Sequence, residues 1–309
     1  MARQQRVAMK FKSIVRRLAL LAAMLGFGSP AMAQEVAFDR AGADPALWVV
    51  SDNDTKIYLF GTMHALKPDV VWFDDAVATA FAESDELVLE MLNPEDAEIA
   101  PVLQKEATYG PGQGLSKTLT PDQYGRFAKV STELGIPPQA LEQMKPWFAG
   151  ITLATAPLTK LGYLPDSGAE QVLQAAASER GIRQVGLETF AQQMGFFSNL
   201  TEAEQVAFLM SGVDDMAEME QTFADMERAW ATGDTDAAAK LLNDGMDETP
   251  VVYDVLLAKR NATWAEWIDA RLKQPGTIFL AVGAGHLSGE DSVQVRLAER
   301  GFKATRVEY

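Results

Sequence analysis

Short apolar segments of strand length occur near both ends of the chain, and longer amphipathic segments occupy its middle. Leu47–Ser51 and Lys56–Gly61 flank the polar turn Asp52-Asn53-Asp54, and this order predicts a hairpin. The second segment contains IYLF, which is apolar at every position and is typical of a strand buried on both faces. Further strands are predicted at Glu86–Glu90, Ile182–Leu187, Thr277–Val282 and Phe302–Val307.

Capping signals and helical spacing of apolar residues predict the helices between these strands. The start signals are Asn93-Pro94, Thr120-Pro121, Asp166 or Ser167, and the capping box Thr201-x-x-Glu204. We expect the last of these helices to continue to about Ala231, and a further helix to run from Pro250 to about Lys273. The pattern predicts an α/β fold with a mostly parallel central sheet built from the two ends of the chain, with a large helical block inserted between.

The first 33 residues have the three parts of a cleavable signal peptide. Six Lys or Arg residues and no acids accompany the apolar core Leu18–Phe27, and Ala31-Met32-Ala33 follows as a small-x-small cleavage site. The alternative is a membrane anchor, but a bilayer span needs about 20 apolar residues and this core is shorter. We expect residues 1–33 to be removed and residues 34–309 to form an exported domain, periplasmic or secreted, without a stable membrane span.

Charge and cysteine content narrow the classes of partner. Removing the six basic residues of the signal peptide leaves 21 basic and 43 acidic residues, a net charge of −22. Such a charge argues against nucleic acid and anionic lipid, which favour clusters of Lys and Arg. The chain contains no Cys, so protein ligands to a metal would be His, Asp or Glu.

The two histidines of the chain occur in matching contexts. His64 and His286 each end a Gly-x-x-His motif, whose glycines are Gly61 and Gly283, and each motif directly follows an apolar strand. In open α/β sheets, ligands bind outside the carboxyl ends of the strands. A glycine there allows a sharp turn or a close approach of the backbone to a ligand. The matched motifs therefore predict one shared site.

Carboxylates end two other predicted strands, at Glu90 and Glu188. A buried carboxylate is costly unless it is paired or bound to metal. Two His and one Glu make a catalytic metal set that leaves a position open for water. Arg260 could neutralise an acid or stabilise developing negative charge. A buried Arg260–Glu188 ion pair would explain both residues equally well, and Glu90 could instead cap a helix or form an ion pair.

Five stretches in order along the chain carry a more specific signal: YLFGTMHAL (58–66), ELVLEM (86–91), GLETFAQQ (186–193), KRN (259–261) and VGAGHLSGEDSV (282–293). Together they resemble the TraB/GumN family, which includes the Tiki-type metalloproteases. The resemblance implies an α/β domain over residues 34–309, with His64, His286 and Glu90 at a divalent-metal site. The expected ion is Mn, Co or Zn. Other motif positions of the family fall on Glu188, Gln193, Arg260 and Asn261.

The leading interpretation is an exported metal-dependent hydrolase that cleaves a peptide or acts on a small molecule. The ion would polarise the scissile carbonyl and lower the pKa of a bound water, with Glu188 as general base and Arg260 as oxyanion stabiliser. The residues expected to line the cofactor site are Gly61, Gly283, Gly285, Gln193 and Asn261. The alternative is a non-catalytic carrier of metal, haem or a small ligand. A purely structural role in the cell envelope predicts no affinity for metal.

Overall fold

The computed structural model describes residues 42–243 and 250–309, so the predicted signal peptide lies outside the described residues. A six-stranded sheet of order β4-β3-β5-β2-β1-β6 forms the centre. Its strands are β1 (Leu47–Ser51), β2 (Thr55–Thr62), β3 (Glu86–Met91), β4 (Arg183–Glu188), β5 (Gly276–Gly283) and β6 (Thr305–Arg306). Strands β2 to β5 pair in parallel, whereas β1 is antiparallel to both β2 and β6. The predicted α/β class with a mostly parallel sheet is confirmed.

Helices fill the connections between the strands. Those before β4 are α1 (Asp75–Glu83), α2 (Asp96–Glu106), α3 (Leu115–Thr118), α4 (Pro121–Glu133), α5 (Pro138–Leu141), α6 (Pro146–Thr155) and α7 (Ala169–Arg180). Those after β4 are α8 (Phe190–Ser198), α9 (Glu202–Asp214), α10 (Met219–Ala231), α11 (Thr235–Asn243), α12 (Pro250–Tyr253), α13 (Lys259–Arg271) and α14 (Val293–Glu299). Within residues 42–243 and 250–309, no helix has both the length and the hydropathy needed to cross a bilayer.

The sheet is covered on both faces, which explains the uninterrupted apolar sequences of its central strands. Phe60 and Phe279 pack into the larger core cluster on one face, with ring centroids 5.7 Å apart. Their neighbours Leu59 and Leu280 belong to the second cluster, which includes Trp264 of α13. Successive residues of a strand point to opposite faces, so a strand with helices on both sides needs apolar residues at every position.

Local capping chemistry sets several helix ends as expected. Thr120 and Thr201 each form a complete capping box. The threonine hydroxyl oxygen accepts from the backbone N–H of the residue three positions later, and the side chain of that residue accepts from the backbone N–H of the threonine. The helix expected at Pro94 begins at Asp96 instead. The Asn93 side chain exchanges two hydrogen bonds with Gln171, of 3.0 and 3.1 Å, and so does not cap the helix.

Three other helices differ from the predicted ones. The helix predicted to run to Ala231 is two helices, because a 3₁₀ turn at Met216–Glu218 separates α9 from α10. Apolar residues keep helical spacing through this turn, so periodicity could not locate it. The N-cap of α7 is Gly168 rather than Asp166 or Ser167. The helix predicted from Pro250 contains a π-helical segment, Asp254–Ala258, directly before α13.

Candidate functional site

Four neighbouring strands bring the predicted site residues to one edge of the sheet. Thr62 at the end of β2 lies opposite Gly283 at the end of β5, so the two Gly-x-x-His motifs leave the sheet side by side. On the other side of β5, β3 carries Glu90, and Met91 at its end lies opposite Glu188 of β4. Because the four strands are parallel, their carboxyl ends face the same edge.

Arg260 is the centre of a buried polar network at this edge. Its Nε and Nη2 atoms donate to the two oxygens of Glu188, both at 2.8 Å, and Nη2 also donates to Glu90 at 2.6 Å. Its Nη1 donates to the Leu256 carbonyl oxygen at 3.1 Å and contacts Nε2 of His286 at 3.0 Å. These contacts engage all five N–H groups of a guanidinium. The network therefore contains Arg260, both carboxylates and one of the two histidines.

The π-helical segment before α13 contributes to the position of Arg260. Leu256 belongs to this segment, and its carbonyl accepts from the Arg260 side chain four residues later. The ion pair between Lys259 and Asp254, at 2.6 Å, has the five-residue spacing of a π-helix. Short π-helical segments occur frequently at functional sites.

Hydrogen bonds define the tautomer of His286, whose side chain is fully buried. Arg260 has only donors, so Nε2 of His286 accepts and Nδ1 carries the proton, which it donates to Oδ1 of Asn261 at 2.6 Å. Burial, together with the charge of Arg260, lowers the pKa of His286 to about 3, against the opposing effect of Glu90. His286 is therefore neutral at pH 7, with its lone pair on Nε2.

Glu90 is ionised at pH 7 although it is buried. Burial alone would raise the pKa of Glu90, but the charge of Arg260, with further contributions from His64 and the Gly283 N–H, lowers it to about 2. The Gly283 N–H donates to Oε1 at 2.7 Å. Gln193 donates through Nε2 to Glu90 at 3.3 Å and to Glu188 at 3.1 Å, and so links the two carboxylates. Gln193 and Gly283 thus belong to the cluster through these bonds.

His64 is held by Glu170, which Thr62 holds in turn, and the sequence motifs predicted neither contact. Its Nδ1 lies 2.5 Å from Oε1 of Glu170, and Thr62 donates to the same oxygen. Its Nε2 is buried and has no hydrogen-bond partner among the described residues. Burial lowers the pKa of His64, but the Glu170 carboxylate and the charge of Glu90 outweigh this and raise it.

The sequence contains no distinctive signal for Glu170. It lies in the first turn of α7, where an acid is common because it interacts favourably with the helix dipole. It also lies 106 positions after His64 in the chain, so no local motif joins them. Only the three-dimensional contact distinguishes Glu170 from other acids of this kind.

The two remaining glycines differ in what surrounds them. A Cβ at Gly61 would lie 3.1 Å from the Cα of Ala284, so a side chain there would push β2 away from the second motif. Gly285 is buried in the 3₁₀ turn Ala284–Leu287, which carries His286. The sequence predicts that Gly61 lines the cofactor site, and the structure shows that it allows close packing of the backbone.

A groove of about 610 Å³ opens beside the cluster, between α8 and α13. Glu188 and Arg260 contribute to its lining, with Phe196 from α8 and Trp264 from α13 among the other residues. The Arg260 guanidinium lies 5.3 Å from the ring centroid of Phe196 and 4.7 Å from that of Trp264. The volume lies within the range of small-ligand pockets, about 300–1,000 Å³. The groove therefore connects solvent to the Arg260–Glu188 side of the cluster.

The donors fit, in type, the divalent metal that the resemblance implies. Nδ1 of each histidine is held by an oxygen, from Glu170 or Asn261, as is usual for His ligands that bind through Nε2. Nε2 of His286 lies 3.6 Å from Oε1 of Glu90. Two ligands of a tetrahedral ion with bonds near 2.1 Å lie about 3.4 Å apart.

Arg260 competes with such an ion for one donor. Its Nη1 uses the Nε2 lone pair of His286, so this hydrogen bond and a metal bond at Nε2 exclude each other. Within the described part of the chain, no group of three or more His, Asp and Glu side chains is already assembled around an ion position. The arrangement is a set of suitable donors with a guanidinium among them.

Comparison with known proteins identifies the family. A family model described as the TraB/PrgY/gumN family matches residues 46–306, a range that includes the whole sheet and both Gly-x-x-His motifs. A search of curated proteins and a search of solved structures found no match. Since the matched range covers most of the sequence, the chain belongs to the TraB/PrgY/gumN family.

Proposed function

We propose that the chain is an exported metal-dependent hydrolase that cleaves peptides, with a divalent ion (Mn, Co or Zn) held by His64, His286 and Glu90. One observation carries the proposal. Both histidines are anchored through Nδ1 by an oxygen, and Nε2 of His64 is buried without a hydrogen-bond partner among the described residues. A buried ring nitrogen without a partner is costly, and coordination of a metal ion would satisfy it.

The bound ion would polarise a scissile carbonyl and lower the pKa of a bound water. The chain's own residues supply the remaining functions. Glu188 lines the groove and keeps lone pairs beyond those used by Arg260, so it is the candidate proton acceptor for a water. Arg260 can offer an N–H to a developing oxyanion only after Nη1 has given up its bond to His286, because all five of its N–H groups are engaged.

The test is cleavage of a mixed peptide library by the purified mature protein, with Mn²⁺, Co²⁺ or Zn²⁺ added separately. We expect cleavage by the wild type with at least one ion and none by His286→Ala. Leu287→Ala is the matched control, because it shortens a buried side chain in the same turn without removing a ligand atom. Metal binding without cleavage of any peptide would favour the carrier. Equal metal binding by wild type and His286→Ala would rule out this ligand set.

A further inference from the structure

Glu170 forms the same kind of contact with His64 that Asn261 forms with His286, but with a charged group. Its Oε1 lies 2.5 Å from Nδ1 of His64, and the two side chains are only 13% and 12% exposed. Thr62, the last residue of β2, is 2% exposed and donates its hydroxyl hydrogen to the same oxygen. The carboxylate is thus fixed from two sides in a largely buried position.

Backbone contacts fix the first turn of α7 against the His64 loop. The Ala169 N–H donates to the Met63 carbonyl at 2.9 Å. Gly168 touches the loop so closely that a Cβ there would lie 2.2 Å from the His64 carbonyl oxygen. Such a contact involves backbone on both sides and cannot be relieved by a rotamer change. Main-chain packing therefore holds the turn that carries Glu170 beside the His64 loop.

A simple structural ion pair would not need this degree of restraint. An ion pair that only supports the fold tolerates many side-chain geometries and contributes little when partly exposed. Here the carboxylate has a hydroxyl donor and a fixed helix turn, and the opposite ring nitrogen is left buried without a partner among the described residues. Metal-binding histidines characteristically donate their other N–H to a carboxylate, which orients the ring and makes the ligating nitrogen more basic.

We propose that Glu170 is a positioning residue for His64: its carboxylate, held by Thr62, fixes the ring through Nδ1 and keeps Nε2 as the ligating atom. This inference rests on the proposed function. The two histidines then differ as ligands, since His64 is paired with an anion and His286 with a neutral amide. His64 is the more basic donor. Without Glu170 its ring is no longer oriented, and binding of the ion is weakened.

The test uses Co²⁺ and the full mature chain, with the variants Glu170→Ala and Glu170→Gln. Glu179→Gln is the matched control. Glu179 is exposed near the far end of the same helix. Co²⁺ affinity is measured by competition with a chelator, together with the visible absorption spectrum of the bound ion. We expect Glu170→Ala to weaken binding about 10–100-fold, Glu170→Gln to weaken it less because its amide oxygen still accepts from Nδ1, and Glu179→Gln to leave it unchanged.

A second measurement needs no metal. The chain has two histidines, so the nitrogen NMR spectrum contains the ring signals of two residues. The signals that remain in His286→Ala belong to His64. Above the pH at which His64 loses its second proton, we expect the proton on Nδ1 in the wild type and a shift toward Nε2 in Glu170→Ala. An unchanged tautomer with unchanged Co²⁺ affinity would overturn the positioning role.

Two other outcomes are also decisive. A loss of Co²⁺ binding in Glu170→Ala as complete as in His64→Ala would make Glu170 a ligand, and would overturn its role as a positioning residue. If the wild type binds no Co²⁺, the proposed function fails, whereas the tautomer measurement still reports on Glu170. The failure of one proposal is therefore distinguishable from the failure of the other.

Discussion

Replacing Arg260 by methionine removes a guanidinium from between two buried carboxylates while keeping most of the apolar volume of the side chain. Five hydrogen bonds are lost, and three of them are accepted by the carboxylates of Glu90 and Glu188. The side chains of these two residues are 6% and 8% exposed. Both carboxylates then lack their nearest counter-charge. We expect a large loss of stability, because a buried charge that has lost its partner is strongly unfavourable.

The size of this loss of stability can be obtained in two ways, with similar results. Removing one partner of a buried ion pair costs about 3–5 kcal/mol. Independently, the pKa of Glu90 is about 2, against 4.5 for the free carboxyl, and the charge of Arg260 is the largest of the effects that lower it. At about 1.4 kcal/mol per pKa unit, this difference corresponds to about 3 kcal/mol in favour of the ionised carboxylate. We therefore expect Arg260→Met to lower the free energy of unfolding by at least about 3 kcal/mol at pH 7.

The loss should depend on pH in a defined direction. The folded pKa of Glu90 lies below its unfolded value, so its contribution to stability is complete above about pH 4.5 and is lost as the pH falls toward 2. In Arg260→Met the pKa of Glu90 is no longer lowered by the guanidinium. The unfolded pKa is the same in both proteins, so their difference in unfolding free energy depends on the folded pKa of Glu90 in each. This difference should be largest at pH 7 and should decrease at acidic pH, as Glu90 of the variant takes up a proton and loses its unpaired charge.

Urea denaturation of the metal-free proteins at pH 7 and at pH 4 measures both effects. Arg126→Met is the matched control, because Arg126 is 43% exposed and pairs with the exposed Asp122 and Asp214. A surface pair of this kind contributes about 1 kcal/mol or less. A loss in Arg260→Met no larger than in the control, or a loss that is the same at both pH values, would refute the electrostatic reasoning.

Three further substitutions test other parts of the structure. Asn261→Ala removes the acceptor of Nδ1 of His286 and should weaken Co²⁺ binding about 10–100-fold in a chelator competition, while an unchanged affinity would exclude this orienting role. Thr201→Ala breaks a capping box and should lower the free energy of unfolding by about 1 kcal/mol, and no loss on urea denaturation would contradict the assignment of the cap. Gly168→Ala should destabilise by more than 1 kcal/mol in the same assay, because its Cβ would clash with the His64 backbone; a neutral result would contradict the close contact.

The sequence predicted the α/β class and the mostly parallel sheet because both depend on local patterns. IYLF (57–60) and IFLAV (278–282) lack polar positions, and parallel strands covered on both faces require this. The two Gly-x-x-His motifs follow two strands that pair directly, so the matching motifs lie side by side in the fold. The possible Arg260–Glu188 pair was also visible from the sequence, and it exists in the structure.

Other features depend on contacts between distant segments. The Arg260 side chain also binds Glu90 and His286, which periodicity could not show because the three residues come from different parts of the chain. Glu170 contacts His64 only because α7 begins against the His64 loop. The break between α9 and α10 lies where apolar spacing stays helical. For Arg260 and Glu170, a tertiary contact decides the outcome.

The most direct test of the central proposal is to locate the ion. Crystals of the mature protein grown with Co²⁺ are measured at the cobalt absorption edge, and an anomalous difference map is calculated. We expect one strong peak about 2.0–2.2 Å from Nε2 of His64, Nε2 of His286 and a carboxylate oxygen of Glu90, with Nη1 of Arg260 displaced from His286. Full Co²⁺ occupancy at another position, or an unchanged Arg260–His286 hydrogen bond with no peak at the two histidines, would contradict it.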